Sequence, residues 1–181
     1  TDTLGIDFGT SNSAAGTVIA GKPRLIEIEQ GDTTIPTALF FDNEEKRVIY
    51  GRAAQEALIG GDEGRYMRAL KSLLGTPLMR ASRVMLGKRM DFIAIVARFL
   101  AEIKTRAEAA TGQTFERALS GRPVMFHSAD EARNAQALID LTDCYRMAGF
   151  KDVRFMPEPE AAALANRDVL EPGDLGLIVD I

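Results

Sequence analysis

The chain has 181 residues, 46% of them apolar, and a formal net charge of −4. A globular chain of this length and composition buries a sizeable core without disulfide or metal staples. Cys144 and His127 are the only residues of their types, which excludes an intrachain disulfide, a Cys/His zinc cluster and a histidine triad formed by this chain alone. The first basic residue is Lys22, and no apolar run is long enough to cross a bilayer. We therefore expect no signal peptide, no membrane contact and, with an unpaired cysteine, a cytoplasmic location.

Short strands open the sequence. Residues 4–9 and 14–20 form two apolar runs, and a Gly-Lys-Pro turn leads into a third strand. Over residues 25–29 of this strand, apolar and polar side chains alternate, which is the period of a strand with one buried face. A hairpin of residues 35–41 and 47–50 follows. The sequence therefore predicts a strand meander at its start.

Helices are predicted in the middle of the chain. Residues 52–59 form one that a glycine pair ends, and residues 65–74 form another that stops at Gly75 before a proline. A third helix runs to about Gly112, because apolar residues at helical spacing form one stripe. These residues are Phe92, Ile95, Val96, Phe99, Leu100 and Ile103.

From residue 123 onward, predicted strands and helices alternate, which implies parallel pairing with right-handed crossovers. The predicted strands are residues 123–126, 153–156 and 177–181, and the predicted helices are residues 130–148 and 158–166. No turn or polar tail follows the last strand. We therefore expect this chain to be the front part of a longer protein.

Basic residues are concentrated in residues 65–89, which hold seven of them and no acidic residue. They are Arg65, Arg68, Lys71, Arg80, Arg83, Lys88 and Arg89. Such a segment allows a nucleic-acid-binding module as one function. Tyr66 is the only aromatic residue among them and the whole chain is acidic, so we expect no nucleic-acid partner.

The residues after the first strand carry groups that bind phosphate. Asp7 ends the strand, and Gly9, Thr10, Ser11 and Asn12 follow it. A glycine lets the backbone approach a ligand closely, successive N–H groups at such a turn bind anions, and hydroxyl groups add donors. The aspartate is placed to hold a hydrated Mg²⁺ that the phosphates carry. The alternative is a plain hairpin turn, since the motif matches neither the lysine-bearing P-loop nor the dinucleotide fingerprint.

Five segments of the chain resemble, in order, the nucleotide-binding domain of the seventy-kilodalton heat-shock chaperones. They are residues 5–13, 35–37, 71–75, 148–165 and 179–181. The specific ones are the first, Gly-Ile-Asp-Phe-Gly-Thr-Ser-Asn-Ser, and the fourth, which contains Glu-Pro-Glu-Ala-Ala-Ala-Leu-Ala. The first and last segments each place an aspartate near the end of a strand, which resembles the internal duplication of that family.

The resemblance implies an α/β, ribonuclease-H-like lobe of the actin-type ATPase fold with an inserted α+β outer subdomain. Residues 1–34 and 116–181 would form the core of the first lobe, and residues 35–115 the inserted subdomain. The second lobe, which holds the adenosine in this family, would be absent from the chain. The chain alone should therefore bind ATP poorly.

One departure points to a particular branch of that family. A Gly-Arg-Pro sequence at residues 121–123 and a longer insertion replace the Val-Pro step of the typical chaperones. Similar departures occur in the divergent bacterial branch called YegD-like, which the chain resembles most. In typical members that proline helps to relay the nucleotide state to a peptide-binding domain, so such coupling is in question here.

The resemblance also assigns site residues by position. Gly9, Thr10, Ser11 and Asn12 would bind the β- and γ-phosphates of ATP or ADP through N–H and hydroxyl donors. Lys71 would place its ammonium beside the γ-phosphate, where it would neutralise developing charge and orient the attacking water.

The metal-binding residues follow in the same way. Asp7 would accept hydrogen bonds from waters bound to Mg²⁺, and Asp180 would face it across the cleft, on the cation or on water. Glu158 would contact the hydration shell of the metal, and K⁺ is a further candidate cation. The implied catalytic residues are thus Lys71, Glu158, Asp180 and Thr10.

The resemblance implies the N-terminal part of an ATP-hydrolysing, chaperone-like protein, with client polypeptides and co-chaperones as partners of the full-length form. A small-molecule kinase or a filament-forming ATPase of the same superfold is the alternative. Each of these residues also has a purely structural alternative. Lys71 would be a solvated helix residue, Glu158 a carboxylate favoured by a helix N-terminus, and Asp180 the cap of the following turn. His127 is predicted to be a turn or surface residue, and Cys144 an inert packed thiol.

Overall fold

The computed structural model describes residues 2–128 and 130–166 of the chain. In chain order, the strands and α-helices are β1 (Thr3–Phe8), β2 (Asn12–Ile19), β3 (Lys22–Leu25), β4 (Thr34–Pro36), β5 (Ala38–Asp42), β6 (Arg47–Tyr50), α1 (Arg52–Gly60), β7 (Gly64–Arg68), β8 (Arg83–Met85), β9 (Lys88–Met90), α2 (Phe92–Thr111), β10 (Arg117–Arg122), α3 (Glu131–Met147), β11 (Asp152–Pro157) and α4 (Glu158–Ala165). Two 3-10 helices, Leu70–Leu73 and Pro77–Arg80, lie between β7 and β8. None of the helices in these ranges has the length and apolar character that a membrane span requires.

The first sheet has the strand order β11-β10-β1-β2-β3, and β4 pairs with the start of β2. β1, β10 and β11 run parallel, whereas β1, β2 and β3 form an antiparallel meander. Helix α3 connects the parallel strands β10 and β11. The predicted α/β class, the opening meander and the later parallel pairing are therefore confirmed, although the strand predicted at residues 177–181 lies outside the described residues.

One face of the first sheet forms the main core. Leu4, Ile6 and Phe8 of β1 are buried there together with the apolar stripe of α2. The ring centroids of Phe8 and Phe99 are 6.2 Å apart, which joins the strand to the helix. The predicted long helix is thus confirmed, and its buried stripe fixes β1 from behind.

The second sheet, β6-β5-β7, corrects the helix predicted over residues 65–74. β7 pairs along the whole of β5, and only Leu70–Leu73 is helical, as a 3-10 helix. Every residue of β5 is buried, so its backbone groups need partners on both sides. This requirement outweighs local helix propensity. Ala69, with φ of 54°, separates the strand from the 3-10 helix.

Three other strands lie where the sequence did not place them. β3 spans Lys22–Leu25, directly after a tight turn with positive φ at Ala20 and Gly21. The alternation at residues 25–29 therefore lies mostly after the strand, where Ile26 and Ile28 are buried. The strand predicted over residues 35–41 divides between the two sheets as β4 and β5. The strand predicted over residues 123–126 is wrong, since β10 ends before Pro123, which has no N–H to donate.

The division of the chain into a core and an insertion at residues 35–115 stays a prediction. β4 pairs within the first sheet and α2 packs on α3. The second sheet, on which α1 packs, and the β8–β9 hairpin are separate from the first sheet. The hairpin itself has no counterpart among the elements predicted from the sequence.

Candidate functional site

A polar cleft of about 660 Å³ opens where β1 and β10 end. Its walls come from the turn after β1, the first 3-10 helix, the loop after β10 and the start of α4. The lining residues are Asp7, Gly9, Thr10, Lys71, Ser72, Pro123, Met125, Phe126, Glu158, Pro159 and Ala162. The carboxyl ends of parallel strands are a common location for ligands. The cleft therefore brings together five residues that the sequence singled out, namely Asp7, Gly9, Thr10, Lys71 and Glu158.

The turn after β1 is closely packed around Gly9. A Cβ atom at this position would lie 2.1 Å from the carbonyl oxygen of Asn12, so no other residue fits without a shift of the backbone. The carbonyl of Ser11 accepts a hydrogen bond from the N–H of Thr37 at 2.8 Å. Thr10 is exposed on the cleft side of the turn. The turn thus presents its backbone and one hydroxyl in a fixed shape.

Two predicted site residues, Ser11 and Asn12, lie apart from the cleft lining, and a third falls outside the described residues. Ser11 lines, together with Thr10, an adjoining pocket of about 330 Å³. Asn12 is exposed at the start of β2, in register with Pro36. Asp180 lies outside the described residues. The roles of these three residues toward phosphate or cation stay predictions.

Lys71 and Glu158 form an ion pair inside the cleft. The Nζ atom of Lys71 donates to Oε1 of Glu158 at 2.8 Å, and the two side chains are 12% and 28% exposed. Partial burial strengthens such a pair relative to a surface pair, because less water screens the charges. The side chain of Lys71 is therefore held in the cleft. The alternative prediction, that it is a solvated helix residue, is wrong.

Glu158 is the first residue of α4, which follows β11 directly. Pro157 lies at the junction, and Pro159 falls in the first turn, where its missing N–H removes no helical hydrogen bond. The positive end of the helix dipole favours a carboxylate at this place. The two prolines and the strand thus fix the direction in which Glu158 enters the cleft.

Gly121, the second-last residue of β10, lies close to two carboxylates of the cleft. A Cβ atom there would lie 3.8 Å from Oε1 of Glu158 and 3.9 Å from Oδ1 of Asp7. Within the described part of the chain, no three His, Cys, Asp or Glu side chains are grouped closely enough to hold a metal ion. Two carboxylates nevertheless fit a hydrated Mg²⁺, because this ion keeps several of its waters.

Three further residues, on α3 or in the loop before it, lie outside the cleft lining. Cys144 is buried, and burial raises the pKa of its thiol, which agrees with the predicted inert thiol. The hydroxyl of buried Tyr145 donates to Oγ of Ser120 at 2.8 Å. His127 lies in the loop after β10, as predicted for a turn residue, and is half-buried, with its Nε2 atom 2.6 Å from the carbonyl oxygen of Leu74.

Part of the basic segment at residues 65–89 is neutralised by the fold itself. Lys71 is paired in the cleft, and Arg80 donates to two aspartates of α3. The guanidinium of Arg83 lies over the ring of Phe92, 5.8 Å from its centroid. The expected lack of a nucleic-acid partner stays a prediction.

The fold and the cleft define a mixed α/β protein in which a glycine turn, a lysine and two carboxylates meet at the ends of parallel strands. The family described as Hsp70 protein matches residues 3–81. The chaperone protein DnaK of Mycoplasma mycoides subsp. mycoides SC is 32% identical over 163 residues, which make up 90% of this chain and 25% of that relative. The chain belongs to the Hsp70 family and corresponds to its N-terminal nucleotide-binding part. It spans about a quarter of the length of the curated relative it matches.

Proposed function

We propose that the cleft binds the phosphates of Mg-ATP and that the protein of natural length hydrolyses ATP as a chaperone. The convergence of Gly9, Lys71, Glu158 and Asp7 in one cleft carries this proposal. In it, the chain is the first lobe of a ribonuclease-H-like, actin-type fold, and a second lobe supplies the adenosine contacts. Client polypeptides, co-chaperones and a cytoplasmic location belong to the same proposal.

Phosphate binding is the task of the turn after β1. Its backbone N–H groups and the hydroxyl of Thr10 bind the β- and γ-phosphates, with Ser11 and Asn12 as further donors. The ammonium of Lys71 neutralises charge that develops on the γ-phosphate as water attacks. Because Glu158 already holds this ammonium at the cleft wall, little reorganisation is needed when the nucleotide arrives.

The carboxylates are the residues that hold the cation. Asp7 and Glu158, which both lie near Gly121, would bind the waters of Mg²⁺, and Asp180 would be a further residue on the cation or its waters. When bound, the metal neutralises phosphate charge and orders its waters. K⁺ is a second candidate for the same cleft.

The substitution Lys71→Ala in the protein of natural length tests the proposed function. We expect kcat at saturating ATP to fall by about 10²-fold with a much smaller change in nucleotide affinity, because the ammonium acts mainly on charge that develops in the transition state. Steady-state release of inorganic phosphate is the measurement.

Lys104→Ala is the matched control for this experiment. Lys104 pairs with Glu108 at 2.9 Å, and the two side chains are 18% and 28% exposed, but they lie on α2 outside the cleft. The control should retain kcat. Unchanged turnover in Lys71→Ala would contradict the proposal, and transfer of phosphate to a sugar or an acid instead of water would indicate a kinase.

A further inference from the structure

The segment that carries Lys71 is fastened at its C-terminal end. The carbonyl oxygen of Leu74 lies 2.6 Å from Nε2 of His127, and the N–H of Gly75 donates to Oδ2 of Asp140 at 3.0 Å. A carbonyl can only accept, so Nε2 of the histidine is the donor. Both partners come from the region of α3, about fifty to seventy residues further along the chain. We call His127 and Asp140 the anchor.

Asp140 is a fully buried carboxylate with three donors. Oδ2 accepts from Gly75, while Oδ1 accepts from Nη2 of Arg80 at 3.1 Å and from Nε2 of Gln136 at 2.9 Å. A buried carboxylate is tolerated only when hydrogen bonds of this kind satisfy it. Asp140 thereby holds both the loop that links the two 3-10 helices, at Gly75, and the last residue of the second 3-10 helix, Arg80.

Gly75 shows how closely this segment approaches α3. Its φ is +77°, and a Cβ atom on it would lie 2.3 Å from the carbonyl oxygen of Arg133 and 3.1 Å from Nε2 of His127. No residue with a side chain fits there without moving the segment away from the anchor.

His127 is itself held in place from α3. Oδ1 of Asn134 accepts from the N–H groups of Phe126 and His127 at 2.7 and 2.9 Å. Nδ2 of Asn134 donates to the carbonyl of His127 at 2.8 Å. The histidine ring is therefore a fixed donor toward Leu74.

We propose that His127 and Asp140 are positioning residues for Lys71, a role that rests on the proposed function. Lys71 lies on a 3-10 helix of four residues, which is too short to fix its own position. The anchor holds the end of that helix against α3, and Lys71 thereby stays at the cleft wall beside Glu158. Neither anchor residue lines the cleft, so they act on the reaction through Lys71.

The test compares variants of the protein of natural length. Asp140→Asn keeps the shape of the side chain but loses one of its acceptors, whereas Asp143→Asn alters the other partner of Arg80 and has no bond to Gly75. His127→Phe removes the donor to Leu74, and His127→Gln restores an N–H at nearly the same place.

We expect Asp140→Asn and His127→Phe to lower kcat by about 10-fold or more with little change in KM for ATP. Asp143→Asn and His127→Gln should retain most of kcat.

The same substitutions in a Lys71→Ala background separate positioning from general damage. If the anchor acts through Lys71, Asp140→Asn and His127→Phe should cause no further loss there. Equal losses in both backgrounds, or kcat within about twofold of the parent in both single variants, would overturn the proposal. If Asp140→Asn does not fold, the contrast between His127→Phe and His127→Gln decides. Full turnover in Lys71→Ala alone would instead reject the proposed function.

Discussion

At the scale of single residues, the cleft depends on a position that lacks a side chain. Gly9 lets the turn close on the carbonyl of Asn12. Charged side chains supply the attraction for a phosphate and its cation, but the turn sets the direction of the backbone N–H groups. An added methyl group at Gly9 therefore changes the shape of the cleft.

The substitution Gly9→Ala should remove most phosphate binding while the protein still folds. The new Cβ would lie 2.1 Å from the backbone oxygen of Asn12, so the turn has to open and its N–H groups lose their common direction. Gly60→Ala is the control, because its Cβ meets only a side-chain oxygen of Asp62, at 3.4 Å. Calorimetric titration with Mg-ATP, beside a thermal melt, distinguishes the two. Equal affinity in both variants would show that the turn is not the phosphate site.

The site residues that could be predicted from the sequence are those with a local motif. Asp7 lies near the end of one strand, which Gly9 and Thr10 follow, and Glu158 opens a helix directly after another strand. The anchor could not be predicted in this way, because Asp140 contacts Gly75 across 65 positions of sequence. A lone buried aspartate in a helix gives no local sign of what it binds.

At the scale of elements, a local period predicted the long helix α2 correctly, but it misplaced the third strand, since residues 26–29 lie after β3. The stripe of α2 repeats at helical spacing, and its burial against β1 follows from that period. The sequence did not predict β7, because this segment is extended only through its pairing with β5. Residues 65–74 taken alone give no sign of that pairing. β10 likewise depends on its pairing with β1 and β11, which a local sequence pattern does not indicate.

The substitution Asp91→Ala should destabilise the protein by about 1 kcal/mol, because this residue caps α2. Its carboxylate accepts from the N–H of Ala94 at 2.9 Å. Asp91→Asn keeps an acceptor and should retain nearly all of the stability. Urea unfolding gives both values, and an equal loss in the two variants would show that the charge matters more than the cap.

At the scale of the whole molecule, the first sheet has two concave regions of opposite character. The cleft carries the charged groups, whereas a groove of about 460 Å³ across β1, β2 and β3 is lined mainly by apolar atoms, including those of Val18, Leu25 and Leu119. An apolar groove offers few donors for phosphate, which leaves the cleft as the candidate site. In the proposed function, the phosphate contacts belong to this chain and the base contacts to the second lobe of the proposed fold.

Titration of the isotope-labelled 181-residue chain with Mg-ATP and Mg-GTP, followed by NMR, tests this assignment most directly. We predict that the largest amide shifts fall at residues 9–12 and around Lys71 and Glu158. The affinity should be roughly millimolar and nearly equal for the two nucleotides, because a half-built cleft forms few of the contacts that offset the lost freedom of the ligand. Micromolar binding that selects adenine, or shifts centred on the apolar groove, would contradict the account.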